Sequence, residues 1–224
     1  MFKFILNMLF PTKCACCSTI IEDTYDIHIC GKCLSKISFY RDDYIIIDDI
    51  DTIFFDRITS ACKYLGVLRK SILKYKFGGS PSYCKALAKL IFAKISSLDE
   101  YTQAQGFMSI PMYHKKKVER GYNQAELLSK ELAKLAGLPD YSNCIIRTRK
   151  TMTQSLLNKE EREINVRDSF QVVTPEKLKG KIIILVDDVL TTGSTLNECA
   201  KELKRIGVIK VYCAVVATGK INNS

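Results

Sequence analysis

Ile182-Ile183-Ile184-Leu185-Val186-Asp187-Asp188-Val189-Leu190-Thr191-Thr192-Gly193-Ser194-Thr195 is the stretch on which the fold turns. From Lys181 to Val186 the run is apolar without alternation, which predicts a strand covered on both faces, as in a parallel sheet. Asp187-Asp188 interrupt it. Thr191 to Thr195 then gather small hydroxyl residues around Gly193, and helical spacing runs from Ser194 to Ile206, with Gly207 as its cap. In open α/β sheets ligands bind just beyond the carboxyl ends of the strands, where this stretch places its polar residues.

Each part has a physical job. A loop around Gly193 can turn backbone amides and hydroxyls inward, and the helix starting near Ser194 adds a positive dipole end, so one phosphate group is held. Two adjacent acids would repel a bare phosphate. They fit a ligand whose ribose hydroxyls donate to them and which brings a magnesium ion with it. Read for structure alone, the same residues cap a turn and start a helix.

Upstream of this stretch, strands alternate with helices, the signature of a mainly parallel sheet. Phe107 to Ile110 reads as a strand ending at Pro111, Asn123 to Ala136 as a helix closed by Gly137, and Cys144 to Arg147 as a short strand. Thr148 to Arg167 is polar and weakly patterned, too long for an idle connection, and is expected to be a mobile loop. Val208 to Ala217 is the last strand. Earlier in the chain, Tyr44 to Ile47, Ile53 to Phe55 and Ile58 to Leu65 read as strands. Arg69 to Phe77 alternates basic and apolar residues up to Gly78-Gly79, and Ser82 to Ile95 is an amphipathic helix with Pro81 at its start.

Ten cysteines without a secretion signal favour metal or free thiols over a disulfide framework. Cys14 and Cys17 form one CxxC, Cys30 and Cys33 a second, with twelve residues between the pairs. Two such turns facing each other complete a tetrahedral thiolate site for zinc, and a segment of about forty residues needs that help to fold. Cys16 could replace Cys14 as a ligand, and His28 is a possible substitute. Cys62, Cys84, Cys144, Cys199 and Cys213 lie among apolar neighbours and read as ordinary buried cysteines.

The chain has 224 residues and 47% hydrophobic content, enough for a buried core. Its apolar runs fall short of the roughly 18 residues needed to span a bilayer. Met1 to Phe10 is apolar and reads as a packing segment, with a membrane-touching helix as the alternative. Net charge is +10. Arg41 to Arg57 is acidic, whereas Ala61 to Lys94 and Met112 to Lys150 hold most of the basic excess, a balance that suits polyanions or, without a partner, a solvated basic face.

Ile183 to Leu196 resembles the phosphoribosyl pyrophosphate motif of type I phosphoribosyltransferases. Together with Phe10-Pro11 before a CxxC pair, Pro111, Arg120-Gly121-Tyr122-Asn123-Gln124-Ala125, Arg147, Gln154, Arg162, Asn165 and Phe170, it resembles the ComF family over nearly the whole chain. The resemblance implies an α/β fold of the type I phosphoribosyltransferase kind: a mainly parallel sheet flanked by helices, behind a small zinc ribbon. Residues 1–42 would be the ribbon and 43–224 the second domain, with hood or linking strands over 43–80 and a mobile loop over 148–167.

Carried over residue by residue, Asp187, Asp188 and Arg120 become the catalytic candidates. Phosphoribosyl pyrophosphate would be held by Asp187, Asp188, Val189, Leu190, Thr191, Thr192, Gly193, Ser194, Thr195 and Arg120. Lys115 to Arg120 would grip the pyrophosphate, and Arg147, Gln154 and Arg162 would belong to the mobile loop, arginine's planar fork suiting two phosphate oxygens at once. Magnesium would accompany the ligand; zinc would be held by Cys14, Cys17, Cys30 and Cys33.

The family further implies natural transformation, with single-stranded DNA as a partner at the inner face of the cytoplasmic membrane and a competence helicase as another. Lys115, Lys116, Lys117, Lys74 and Lys76 are the DNA-binding candidates, with Tyr75, Phe77, Tyr113 and Tyr122 available for stacking on bases or as core residues. An active transferase with an unnamed acceptor is the alternative function.

Overall fold

A computed structural model describes residues 11–22, 27–48, 50–149 and 167–220. Its centre is a parallel sheet of four strands, β1 (Arg57–Lys63), β2 (Phe107–Ser109), β5 (Ile182–Leu190) and β6 (Lys210–Thr218), in the order β1-β6-β5-β2. A separate antiparallel pair, β3 (Ile145–Arg147) and β4 (Phe170–Val172), lies beside it. The architecture is the expected mainly parallel sheet with flanking helices.

Burial on both faces of β5 explains why the run shows no alternation. Ile184 and Val186 enter one apolar cluster with α2 (Gly66–Phe77), α3 (Cys84–Ile95) and α6 (Gln124–Ala136). Ile183 and Leu185 enter a second, with α7 (Ser194–Arg205), β3 and β4. Strand neighbours point to opposite faces, so each apolar residue finds a partner layer. The short helices α1 (Gly31–Leu34), α4 (Asp99–Thr102) and α5 (His114–Arg120) complete the named helices among the described residues.

Helix ends follow their sequence signals. Asn123 caps α6, its side chain accepting from Ala125 N at 3.2 Å while Nδ2 donates to Ile110 O at 3.0 Å, which ties the helix to the end of β2. Gly137 closes α6 in the left-handed conformation.

Two expectations differ from the structure. Tyr44 to Ile47 and Ile53 to Phe55 form no regular strand; the chain before β1 is held to it by isolated bonds, among them Tyr40 N to Ala61 O and Ile45 N to Ile58 O. Apolar side chains of this stretch, Ile45, Ile47 and Phe55 among them, instead join the second cluster, and Ile47 reaches the turn after β5. Arg69 to Phe77 is helical, part of α2. β5 also runs past Val186 to Leu190, because β6 continues alongside it as far as Thr218.

Gly106, just before β2, is hemmed in: a Cβ there would stand 2.4 Å from the Tyr141 ring and 2.9 Å from Pro139 O. Gly106→Ala is expected to lower unfolding free energy by about 1–3 kcal/mol, measured by urea denaturation.

Candidate functional site

Asp187 and Asp188 lie within the paired length of β5, Asp187 opposite Val215. Alternation sends them to opposite faces. Asp188 shares the face of Ile184 and Val186 and is buried; its carboxylate meets Lys76 Nζ, from the end of α2, at 2.8 Å. Asp187 shares the face of Ile183 and Leu185, and its Oδ1 accepts the Asp188 amide at 2.8 Å. Desolvation and the neighbouring Asp188 push the Asp187 carboxyl up to about 7, against the opposing pull of Lys76 and, more weakly, Arg147. On Lys76, desolvation pulls the ammonium down, but Asp188 outweighs it and leaves the group above the ordinary lysine value.

The run Arg120 to Gln124 explains how Lys76 is held. Tyr122 donates its hydroxyl to Tyr75 O at 2.5 Å, Tyr75 donates its own to Gln124 O at 2.8 Å, and Gln124 Nε2 donates to Lys76 O at 3.3 Å. Arg120 donates from Nη1 to Gln124 Oε1 at 2.9 Å and lies over the Phe77 ring at 4.9 Å. Gly121, at φ 87°, ends α5 in a conformation that glycine adopts freely and turns the chain back toward α2. This short run thus grips the last turn of one helix.

After β5 the chain rounds Gly193, whose φ of 93° excludes ordinary side chains. Ile50 and Ile47 pack on this glycine: their Cδ1 atoms lie 3.6 and 3.8 Å from where its Cβ would stand. Asn197 on α7 pins the same preceding segment, accepting from Phe54 N at 2.7 Å and donating to Thr52 O at 2.8 Å. Thr192 Oγ1 and Ser194 Oγ are buried and 2.9 Å apart, while Thr191 is exposed. Thr195 is half-buried on the first turn of α7, and Val189 and Leu190 remain in the strand.

The predicted residues therefore separate into groups. Asp187 to Leu190, at the end of β5, and the turn and first helical residues from Thr191 to Thr195 are one continuous stretch. Lys116 belongs to its electrostatic surroundings, its ammonium pulled below the ordinary value by desolvation and then by Arg120, Arg147 and Lys76. Arg147 lies over the Phe170 ring at 5.2 Å. Lys76 faces Asp188 instead of an open basic surface. Lys74 is exposed and bonds Ser18 Oγ at 3.0 Å. Lys115 and Lys117 are exposed on α5, with Lys117 paired to Glu126 at 2.7 Å. Gln154 and Arg162 lie outside the described residues. Sequence reading missed the tie between Lys76 and Asp188 and the role of Asn197; the basic run ending at Gly78-Gly79 was a visible signal, but nothing local names a partner so far along the chain.

Comparison with known proteins shows the family of the chain. Residues 120–223 match the phosphoribosyl transferase domain family. Competence protein F of Haemophilus influenzae is 29% identical over 207 residues, covering 91% of this chain and 90% of that protein. DNA utilization protein YhgH of Salmonella typhimurium is 30% identical over 189 residues, 82% of this chain and 76% of that one. The chain belongs to the ComF family. Competence protein ComFC of Streptococcus pneumoniae is also similar, 29% identical over 68% of this chain and 64% of its own length.

In this ComF-family chain the N-terminal cysteines converge as well. The sulfurs of Cys14, Cys17, Cys30 and Cys33 all lie within 4.8 Å of one another, Cys17 and Cys30 at 3.8 Å. Zinc–thiolate bonds of about 2.3 Å in a tetrahedron put sulfurs about 3.8 Å apart, so the cluster could hold a zinc ion. Cys16 is not part of it; burial, then the nearby Cys14, pushes its thiol up to about 12. His28 stands outside the cluster too. A hydrogen bond with Thr19 holds Cys17 down at about 6, while burial pushes Cys33 up. Cys14, Ala15, Cys16, Ile29, Cys33 and Ile37 share one buried cluster with α2 and α3, so the cysteine segment leans on the larger unit. Among the described residues no helix is long and apolar enough to cross a membrane.

Two outcomes are expected. Cys33→Ser should abolish stoichiometric zinc in a colorimetric chelator assay and lower the thermal midpoint, whereas Cys16→Ala should keep the metal. The raised carboxyl of Asp187 means that, between about pH 4 and its folded value, the native chain holds a proton that the unfolded chain has lost. Unfolding free energy contributed by this group should therefore fall as pH rises from about 4 to about 7. Urea titrations across that range should show the slope, and Asp187→Asn should flatten it.

Proposed function

We propose that this ComF-family chain binds 5-phosphoribosyl pyrophosphate, or a close ribose phosphate, together with magnesium at the Asp187 to Thr195 surface, and handles single-stranded DNA during natural transformation. The observation that carries the reading is the gathering of the cationic groups Lys76, Lys116, Arg120 and Arg147 about the two carboxylates that lead along the chain into the hydroxyl-bearing turn. A ligand matching that surface has hydroxyls to donate to the acids and phosphates for the cations.

In this reading Asp187 and Asp188 accept hydrogen bonds from the ribose hydroxyls. The amides and hydroxyls from Thr191 to Thr195 hold the single phosphate at the start of α7. Lys115 to Arg120 grip the pyrophosphate, and Arg147, with Gln154 and Arg162 of the following segment, closes over it. The carboxylate donors are of the class magnesium prefers, and when bound the ion adds positive charge beside the pyrophosphate oxygens. We take 1–42 as the zinc ribbon, 43–224 as the phosphoribosyltransferase-like domain, and 148–167 as its loop.

The competence and DNA-utilization names of the relatives support the DNA reading. Exposed Lys115, Lys116 and Lys74 give phosphates a surface to follow, with Phe77, 71% exposed beneath Arg120, open to a stacked base. The site of action is cytoplasmic, at the inner membrane face, beside a helicase-type partner.

The same groups also suit an active phosphoribosyltransferase, in which a nucleophile attacks ribose C1 and pyrophosphate leaves, through positioning and electrostatics.

Calorimetry should detect the sugar diphosphate with magnesium on the wild-type chain and none on Asp187→Asn/Asp188→Asn. Heat that persists in the double variant would remove the acids from the site. Pyrophosphate release measured in the same samples decides between binding protein and transferase. Replacing Lys115, Lys116 and Lys117 by alanine should flatten the dependence of DNA affinity on salt, by about one in the logarithmic slope for each phosphate that the variant no longer neutralises. An unchanged slope would place the DNA elsewhere.

A further inference from the structure

Lys76 pairs directly with one of the two acids, and three features of its setting bear on how the site is charged. Its ammonium sits 2.8 Å from a carboxylate that is itself only 10% exposed. Its backbone is gripped by a run some forty-seven residues further along the chain, through the bonds from Tyr122 to Tyr75 O and from Gln124 to Lys76 O. Its helix is continuous from Gly66 to Phe77 and buries Leu68, Ser71, Ile72 and Tyr75, so the lysine approaches from a fixed base. The arrangement is built.

We propose that Lys76 occupies the place of a divalent cation at Asp188, so that metal joins the site only together with a pyrophosphorylated ligand. The inference rests on the sugar diphosphate reading of the site. A hard cation needs several oxygen donors and gains most from uncompensated carboxylates. Here Asp188 is already compensated by an ammonium that excludes a second cation by charge and by volume. Asp187 alone offers a single carboxylate, on the other face of the strand. A free ion therefore finds little to bind.

A pyrophosphorylated ligand changes the balance. Its phosphate oxygens supply both the missing donors for the ion and an alternative partner for the lysine, which can move from Asp188 to phosphate without losing a charge-assisted hydrogen bond. Lys76 thereby assists pyrophosphate binding from α2, a helix outside the stretch from Lys115 to Arg120, and Asp188 becomes available to the ribose and the ion as the ligand arrives. No covalent bond is made or broken in this exchange.

The test is a titration of the full-length chain with Mn2+, free ion being read by its electron paramagnetic resonance signal, with and without 5-phosphoribosyl pyrophosphate. Wild-type protein should bind Mn2+ weakly alone and tightly with the sugar. Lys76→Met should bind Mn2+ alone at least about tenfold more tightly than wild type, since a competing cation has gone, and adding Asp188→Asn should remove the gain. Equal Mn2+ affinity in the wild type and Lys76→Met, both of which still take the sugar, overturns this inference alone. Tight Mn2+ binding by the wild type without sugar overturns it too, and needs no variant. A wild-type chain that takes no sugar at saturating Mn2+ overturns this inference and the site reading beneath it.

Discussion

Two carboxylates stand side by side near the end of a strand that is covered on both faces, so their charge has to be answered from within the fold. Asp188 is answered by Lys76 from α2, at 2.8 Å. On Asp187, burial and the neighbouring Asp188 push the carboxyl up to about 7, while Lys76 and, more weakly, Arg147 on β3 draw it down. A buried acid without such answers costs several kcal/mol.

The run from Arg120 to Gln124 takes its meaning from the same constraint. Its tyrosine, glutamine and arginine each touch the last turn of α2, and together they fix the direction from which the lysine arrives. Asn197 does the corresponding work on the other side, binding the backbone of Phe54 and Thr52 and laying Ile47 and Ile50 against Gly193. The cysteine segment leans on α2 from outside, through the shared apolar cluster and the bond from Lys74 to Ser18. One helix therefore touches both the cysteine segment and the acid pair.

Much of this was legible in the residues. The unbroken apolar run ahead of Asp187 announced a strand covered on both faces, and the structure buries Ile183 to Val186 at 1% exposure or less. Gly137 and Asn123 marked the ends of α6, and the two CxxC pairs marked four sulfurs that the fold brings together. Tyr44 to Ile47 misled, because β-rich composition reports a half-buried surface and not pairing as such. The continuation of β5 through the acids was hidden as well, since it depends on how far β6 extends beside it.

What the sequence determined by itself was local: periodicity, turn residues and spacing, which set the order of strands and helices, the composition of the turn around Gly193 and the pairing of cysteines into two knuckles. What only the tertiary structure decided was which charge meets which. Lys76 reads from sequence as one more lysine in a basic stretch, and Asp188 as one of two equivalent acids. The alternation of β5 and the grip of residues 120 to 124 on α2 make them partners, because an ion pair in a covered site depends on distance in space, on which the residues between its members have no direct bearing.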